Sequence, residues 1–177
     1  MNIRRILTAG ALAIATTFTA ATANAADIPM APVAPPPPPP PAPVFDWAGG
    51  YGGIYGGASV GVGLFGHVGA QVGYNFVSGG FLAGIEGQAG ALIAGGGVGF
   101  DGRVNARLGA ILGDKVLLYA EAGAGIWWPV ALPYTFGGGI EIAVGQSASI
   151  FAEAKGYGLF GGGCCGIIGE GGINWHF

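Results

Sequence analysis

Three residues in the stretch GRVNARLGAIL, residues 102–112, carry groups capable of chemistry: Arg103, Asn105 and Arg107. They alternate with Val104, Ala106 and Leu108, so charge and oil take turns along the chain. The same alternation places Glu86, Glu121, Glu141, Glu153, Lys155 and Glu170 among small or apolar neighbours. Two chemistries suit such a set. Carboxylates and cations can satisfy one another as ion pairs shielded from water, where removing one partner strands the other. Alternatively, paired carboxylates can do acid–base work. The second needs one carboxylate set apart from the rest, and the order of residues keeps each near a cation: Glu86 near Arg103, Arg107 opposite Glu121, and Lys155 near Glu141 or Glu170.

Other catalytic groupings are not visible. Ser59, Ser78, Ser147 and Ser149 show no histidine and carboxylate partners that would activate a hydroxyl. His67 and His176 are expected at opposite ends of their strands, which prevents them from sharing a metal. Glycine strings such as GGGVGF, 95–100, lack the strand–loop–helix setting of a phosphate cradle. The expectation is therefore no catalytic, cofactor-binding or metal-binding residues.

The elements that carry these charges must be strands or helices. As a helix, GRVNARLGAIL would also bring Arg103 and Arg107 to one face, so that window alone is ambiguous. HVGAQVGYNF, 67–76, decides: Val68, Ala70, Val72, Tyr74 and Phe76 alternate with His67, Gly69, Gln71, Gly73 and Asn75. That is period two over a full strand length. The rival reading is membrane helices, because FLAGIEGQAGALIAGGGVGF, 81–100, is long enough to span and holds one charge. On a helix, however, Glu86 and Gln88 would point about 200° apart, and one of them would meet lipid. The segment also contains seven glycines. Breaks fall near 61–66, 77–80, 93–97, 113–115, 127–133, 145–149 and 159–166, which delimit eight strands.

Composition supplies the environment. The chain has 177 residues, 51% hydrophobic and 8% charged, against about 25% charged in an ordinary soluble domain. A formal charge of −3 argues against nucleic acid as a partner. Strands in lipid must close into a barrel, because unpaired edge groups there cost several kcal/mol each. A soluble barrel would be apolar inside, whereas here the charged phase lacks the bulk to fill a dry core. The expected fold is all-β: an eight-stranded antiparallel up-and-down transmembrane β-barrel. Arg103 and Arg107 then face the lumen, and Val104, Ala106 and Leu108 face lipid.

Lumen-facing Gly69, Gly73, Gly84, Gly90, Gly109, Gly123 and Gly125 leave volume for water, so both a salt-bridged plug and a narrow conducting path remain open. Two aromatic belts are expected at the interfaces: Trp47, Tyr74, Phe76, Trp175 and Phe177 at one end, and Phe65, Phe100, Trp127, Trp128 and Tyr134 at the other.

The N-terminal part is read separately. Residues 1–25 have the basic start, short apolar core and Ala23-Asn24-Ala25 site of a secretory signal peptide, with cleavage before Ala26. Residues 26–44 hold ten of the twelve prolines, seven of them consecutive at 35–41. Such a run forms an extended semi-rigid spacer, and it could also dock a periplasmic partner or peptidoglycan. Residues 45–177 form the barrel. The only cysteines, Cys164 and Cys165, are adjacent, and a ring closed between neighbours would be strained. They read as two small residues of a Gly-rich loop, with a redox or intermolecular role for exposed thiols as the other possibility.

FDWAGGYGGIYGGASVG at 45–61 resembles the Trp-x-Gly-x-Tyr-x-Gly opening strand of the small porin-like surface proteins of Gram-negative outer membranes, which are related to opacity and OmpA-like barrels. GRVNARLGAIL is similar to their Gly-x-x-x-x-Arg-Leu-Gly strand, GGGIEIAVGQSASIFAEAKGYGLF at 137–160 to a later hairpin, and GINWHF at 172–177 to their closing strand. The resemblance implies an eight-stranded barrel in the outer membrane, with both termini in the periplasm and outer-membrane lipid around it. It also implies that Phe177 serves in recognition by the outer-membrane assembly machinery. The loops depart from the pattern: GVGLFG, IAGGGV and WWPVALP are short and apolar where relatives have longer polar ones. A non-enzymatic structural or envelope role is the expected function, with a narrow porin for small solutes or ions as the alternative.

Overall fold

The computed structural model describes residues 36–37, 44–129, 131–162 and 165–177. The expected signal peptide, and all of the Pro-rich arm except Pro36, Pro37 and Val44, lie outside these residues.

Alternation of small or apolar residues with polar ones produces eight strands: β1 (Gly49–Val60), β2 (Phe65–Ser78), β3 (Phe81–Ala94), β4 (Gly97–Leu112), β5 (Val116–Trp128), β6 (Pro133–Ala143), β7 (Ala148–Leu159) and β8 (Gly166–His176). Each pairs antiparallel with its neighbour in sequence, and β1 pairs with β8, so the sheet closes into a barrel with no free edge. Closure satisfies the edge hydrogen bonds that an open sheet would leave unpaired.

Turn chemistry is tight at the terminus end of the barrel, where β1 begins and β8 ends. Gly79 and Gly80 join β2 to β3 with φ of 59° and 84°, the left-handed pair that matches the twist of a two-residue hairpin. Gly113 and Asp114 take φ of 57° and 63° in the turn between β4 and β5.

The facing follows the alternation. Val104 and Leu108 are 58% and 66% exposed on the outer wall, whereas Arg103 and Arg107 are 2% exposed inside. The outer wall is apolar around the barrel, from Ile54 and Val72 through Ile85, Leu118 and Phe136 to Ile173.

Two departures concern the interior. The lumen is not short of bulk. Phe45, Trp47, Leu82, Leu117 and Tyr119 form an apolar cluster at the terminus end, with Ile111 and Ala143 against it. Leu92, Trp127, Tyr157 and Ile168 form a second cluster at the loop end, joined by Phe65 and Leu159. Trp47 and Trp127 therefore leave the expected belts and turn inward, at 3% and 1% exposure. The physical reason is phase: Trp127 shares its alternation with Glu121, Gly123 and Gly125. Tyr74, Phe76, Trp175 and Phe177 at one end, and Phe100, Trp128 and Tyr134 at the other, are exposed on the outside.

The lumen glycines hold little free volume, contrary to expectation. A Cβ on Gly69 would come within 2.7 Å of the Tyr55 hydroxyl, and one on Gly109 within 2.8 Å of Leu117 Cδ1. The Tyr51 ring occupies the space beside Gly73, and Asn105 and Arg103 occupy that beside Gly123 and Gly125. Glycine is needed there because a large side chain on the neighbouring strand lies over it. Cys165 is disulfide-bonded, not an exposed thiol; the other cysteine of the sequence, Cys164, lies outside the described residues.

Candidate functional site in the barrel lumen

Every second residue of each strand points into a space bounded by the two apolar clusters, and there the charged residues meet. Glu86, Arg103, Arg107, Glu121, Glu141, Glu153, Lys155 and Glu170 are all buried in it. Asp101 joins them at 0% exposure. Its position, two residues before Arg103 in the same phase, was the available signal, and sequence reasoning missed it.

The residues form two connected groups. In the group nearer the loops, Arg103 donates through Nε and Nη2 to Asp101 at 3.0 and 2.8 Å. It also donates through Nη1 to Glu170 at 2.8 Å and through Nη2 to the same carboxylate. Lys155 Nζ lies 2.8 Å from Glu170, 2.6 Å from Glu153 and 2.9 Å from Glu121. The Lys155–Glu121 contact lacks hydrogen-bond geometry and Glu121 has no hydrogen-bond partner, so that attraction is electrostatic only. Tyr119 donates its hydroxyl to Glu153 at 2.8 Å.

In the group nearer the termini, Arg107 donates to Glu141 at 2.7 Å and to the Tyr51 hydroxyl at 2.7 Å, and reaches Glu86 at 3.4 Å. Tyr51 donates its own hydroxyl hydrogen bond to Glu86 at 2.7 Å, and the guanidinium lies over the Tyr119 ring at 4.1 Å. Glu141 also accepts from Ser149 at 2.6 Å and Asn174 at 2.8 Å. A Gln88–Gln71–Asn174 chain runs across the lumen to this carboxylate.

Several expected pairings therefore change. Glu86 partners Arg107, not Arg103. Arg107 does sit beside Glu121 in the β4–β5 ladder, yet it reaches across to Glu86 and Glu141 instead. Of the two carboxylates expected near Lys155, Glu170 contacts it and Glu141 is held by Arg107. Long side chains span the lumen, so partners come from distant strands: Arg103 on β4 takes Glu170 on β8.

A second correction concerns the serines. His67 Nδ1 donates to Asp101 Oδ2 at 2.9 Å, and its Nε2 is 2.9 Å from Ser59 Oγ. Ser149 is likewise 3.0 Å from His176 Nε2, beside Glu141. The first chain has the connectivity of a serine nucleophile, its base and an orienting carboxylate. Its setting is different from that of a working nucleophile. Ser59 is 0% exposed, His67 packs 5.5 Å from the Trp127 ring, and Asp101 is committed to Arg103 and to the Trp127 indole N–H at 3.0 Å. No substrate carbonyl can approach such a hydroxyl without dismantling the loop-end cluster.

His67, Asp101 and Glu170 also place ligand atoms within 4.8 Å of one another. Arg103 donates to both carboxylates, so a cation added there would face a guanidinium among its own ligands. What the arrangement does chemically is set each buried cation among several carboxylates, offsetting part of their charge. A conduit wide enough for water would wet its lining, yet Ser59, Asp101, Glu141, Ser149 and Asn174 are all 0% exposed.

No protein-family model and no curated protein matches the chain. Among solved structures it is similar to a de novo designed transmembrane β-barrel, at 15% identity and TM-score 0.53, covering 74% of this chain and 98% of that one. It also aligns with the N-terminal β-barrel domain of Pseudomonas aeruginosa OprF, at 13% identity and TM-score 0.49, covering 73% of this chain and 98% of that one. The first likeness establishes the architecture, an eight-stranded antiparallel barrel of the transmembrane kind.

Proposed function

We propose that the chain is a non-enzymatic integral protein of the outer membrane, a sealed barrel with a structural role in the envelope. The observation that carries this reading is the lumen. Its charged residues contact one another and are dry, with an apolar cluster at each end, whereas a porin keeps a wet path. The apolar outer wall with aromatics at both ends supports lipid as the surroundings.

In this reading residues 1–25 direct export and are removed before Ala26. Both barrel termini lie in the periplasm, and the Pro-rich arm spaces the barrel from a periplasmic partner or peptidoglycan. Phe177, 86% exposed at the end of β8, is free to be read by the assembly machinery. The test is expression of the full chain in a Gram-negative host, membrane fractionation and N-terminal sequencing. The expected result is outer-membrane protein starting at Ala26. Recovery in the soluble fraction, or a start at Met1, would overturn the reading.

A further inference from the structure

The two ends of the barrel differ in a way that the lumen does not explain. Asp46, Asp114 and Lys115 lie at the terminus end. The loop end carries no Asp, Glu, Lys, Arg or His on its surface among the described residues; the nearest, His67, Asp101 and Glu170, are buried in the lumen. In their place stand Val62, Leu64, Val98, Trp128, Leu132 and Phe160, between 51% and 74% exposed. Val62, Leu64, Leu132 and Phe160 come from three of the four connections at that end, and Val98 and Trp128 from the strand ends beside them, so they form a crown and not a single patch.

We propose that this crown is a lipid-inserting surface: its apolar side chains reach the acyl chains, while the loop backbone stays at the hydrated headgroup level, where its N–H and C=O groups find partners. Two observations choose lipid over a protein partner. First, the crown is continuous with the apolar outer wall, running from Val60, Phe100 and Ile167 on the strands to Leu64, Val98 and Phe160 at the tips without a polar break. Second, it offers almost no directional group. A protein interface carries about one hydrogen bond per 100–200 Å² and a polar rim; of these six side chains the indole N–H of Trp128 alone can donate, and none can form a rim. Acyl chains ask only for apolar area. Apolar patches of this extent on a surface bathed by water are uncommon.

The proposal rests on the barrel's being in a bilayer, and the experiment separates the two. Spin labels are placed singly at Leu64→Cys, Val98→Cys, Val104→Cys and Lys115→Cys in a Cys164→Ser, Cys165→Ser background. Each protein is refolded into phospholipid vesicles, and label collision with oxygen, which concentrates in hydrocarbon, is compared with collision with a water-soluble nickel chelate. Val104 reports the mid-wall and Lys115 the opposite turn. The expected result is that labels at Leu64 and Val98 follow Val104, with oxygen exceeding nickel, while Lys115 shows the reverse. Two probes guard against one variant's misfolding. Labels at Leu64 and Val98 that follow Lys115, or that broaden through contact with labels on a second copy, would overturn the proposal while a lipid-exposed Val104 kept the membrane reading. A water-exposed Val104 would overturn both.

Discussion

Lys155→Met tests whether the lumen charges hold the barrel together. The ammonium is 1% exposed and lies within 2.6–2.9 Å of Glu153, Glu170 and Glu121. Methionine keeps much of the volume and removes the charge. Breaking a buried pair from one side costs about 3–5 kcal/mol, because the remaining charge is left uncompensated. The three carboxylates do not lose equally. Glu170 keeps Arg103 and Glu153 keeps the Tyr119 hydroxyl, whereas Glu121 loses its one attraction. Adding Glu121→Gln should therefore recover about 1–2 kcal/mol, within the range of coupling between residues in contact. Adding Glu170→Gln should recover less and expose Arg103 to loss. The assay is urea unfolding of protein refolded into vesicles, followed by tryptophan emission. A Lys155→Met barrel as stable as the parent, or strictly additive effects with Glu121→Gln, would refute the pairing.

Three further outcomes follow from the same geometry. Ala106→Arg places a cation on the mid-wall beside Ala122 and should cost about 2–4 kcal/mol in refolding titrations; a neutral result would refute the facing. Gly123→Ala should cost about 1–3 kcal/mol by driving a methyl into Asn105 and the Val104 carbonyl, while Gly95→Ala, with open space around it, serves as the neutral control in the same titration. A fluorophosphonate probe should leave Ser59 unlabelled in the folded barrel, as judged by mass spectrometry, and labelling abolished by His67→Ala would reopen the enzymatic reading.

The strands were legible because the barrel imposes period two on every crossing, and HVGAQVGYNF shows it over ten residues. The turn at Gly113–Lys115 was equally plain, since Gly-Asp between two apolar runs favours a left-handed turn. The lumen partners were not legible. Register along a ladder relates β4 to β5, but Arg103 meets Glu170 across the barrel on β8, and nothing local in the chain encodes that reach. The same limit hid Ser59, His67 and Asp101, which come from three strands and meet only once the sheet closes. The packed lumen could have been read in part. Tyr51 and Tyr55 share the inward phase with Ser59, and each lies across from a β2 glycine, Gly73 and Gly69. Small residues on one strand were thus room for large ones on the next, not room for water.

The claim that the lumen is sealed is tested most directly by recording the refolded wild-type protein in planar lipid bilayers. Electrical silence is expected, and Trp47→Ala alone should stay silent too, because the loop-end cluster and the packed charged groups still close the path. Steady conductance from the wild type, with the cation preference expected of six lumen carboxylates (Glu86, Asp101, Glu121, Glu141, Glu153 and Glu170) against three cations (Arg103, Arg107 and Lys155), would contradict it.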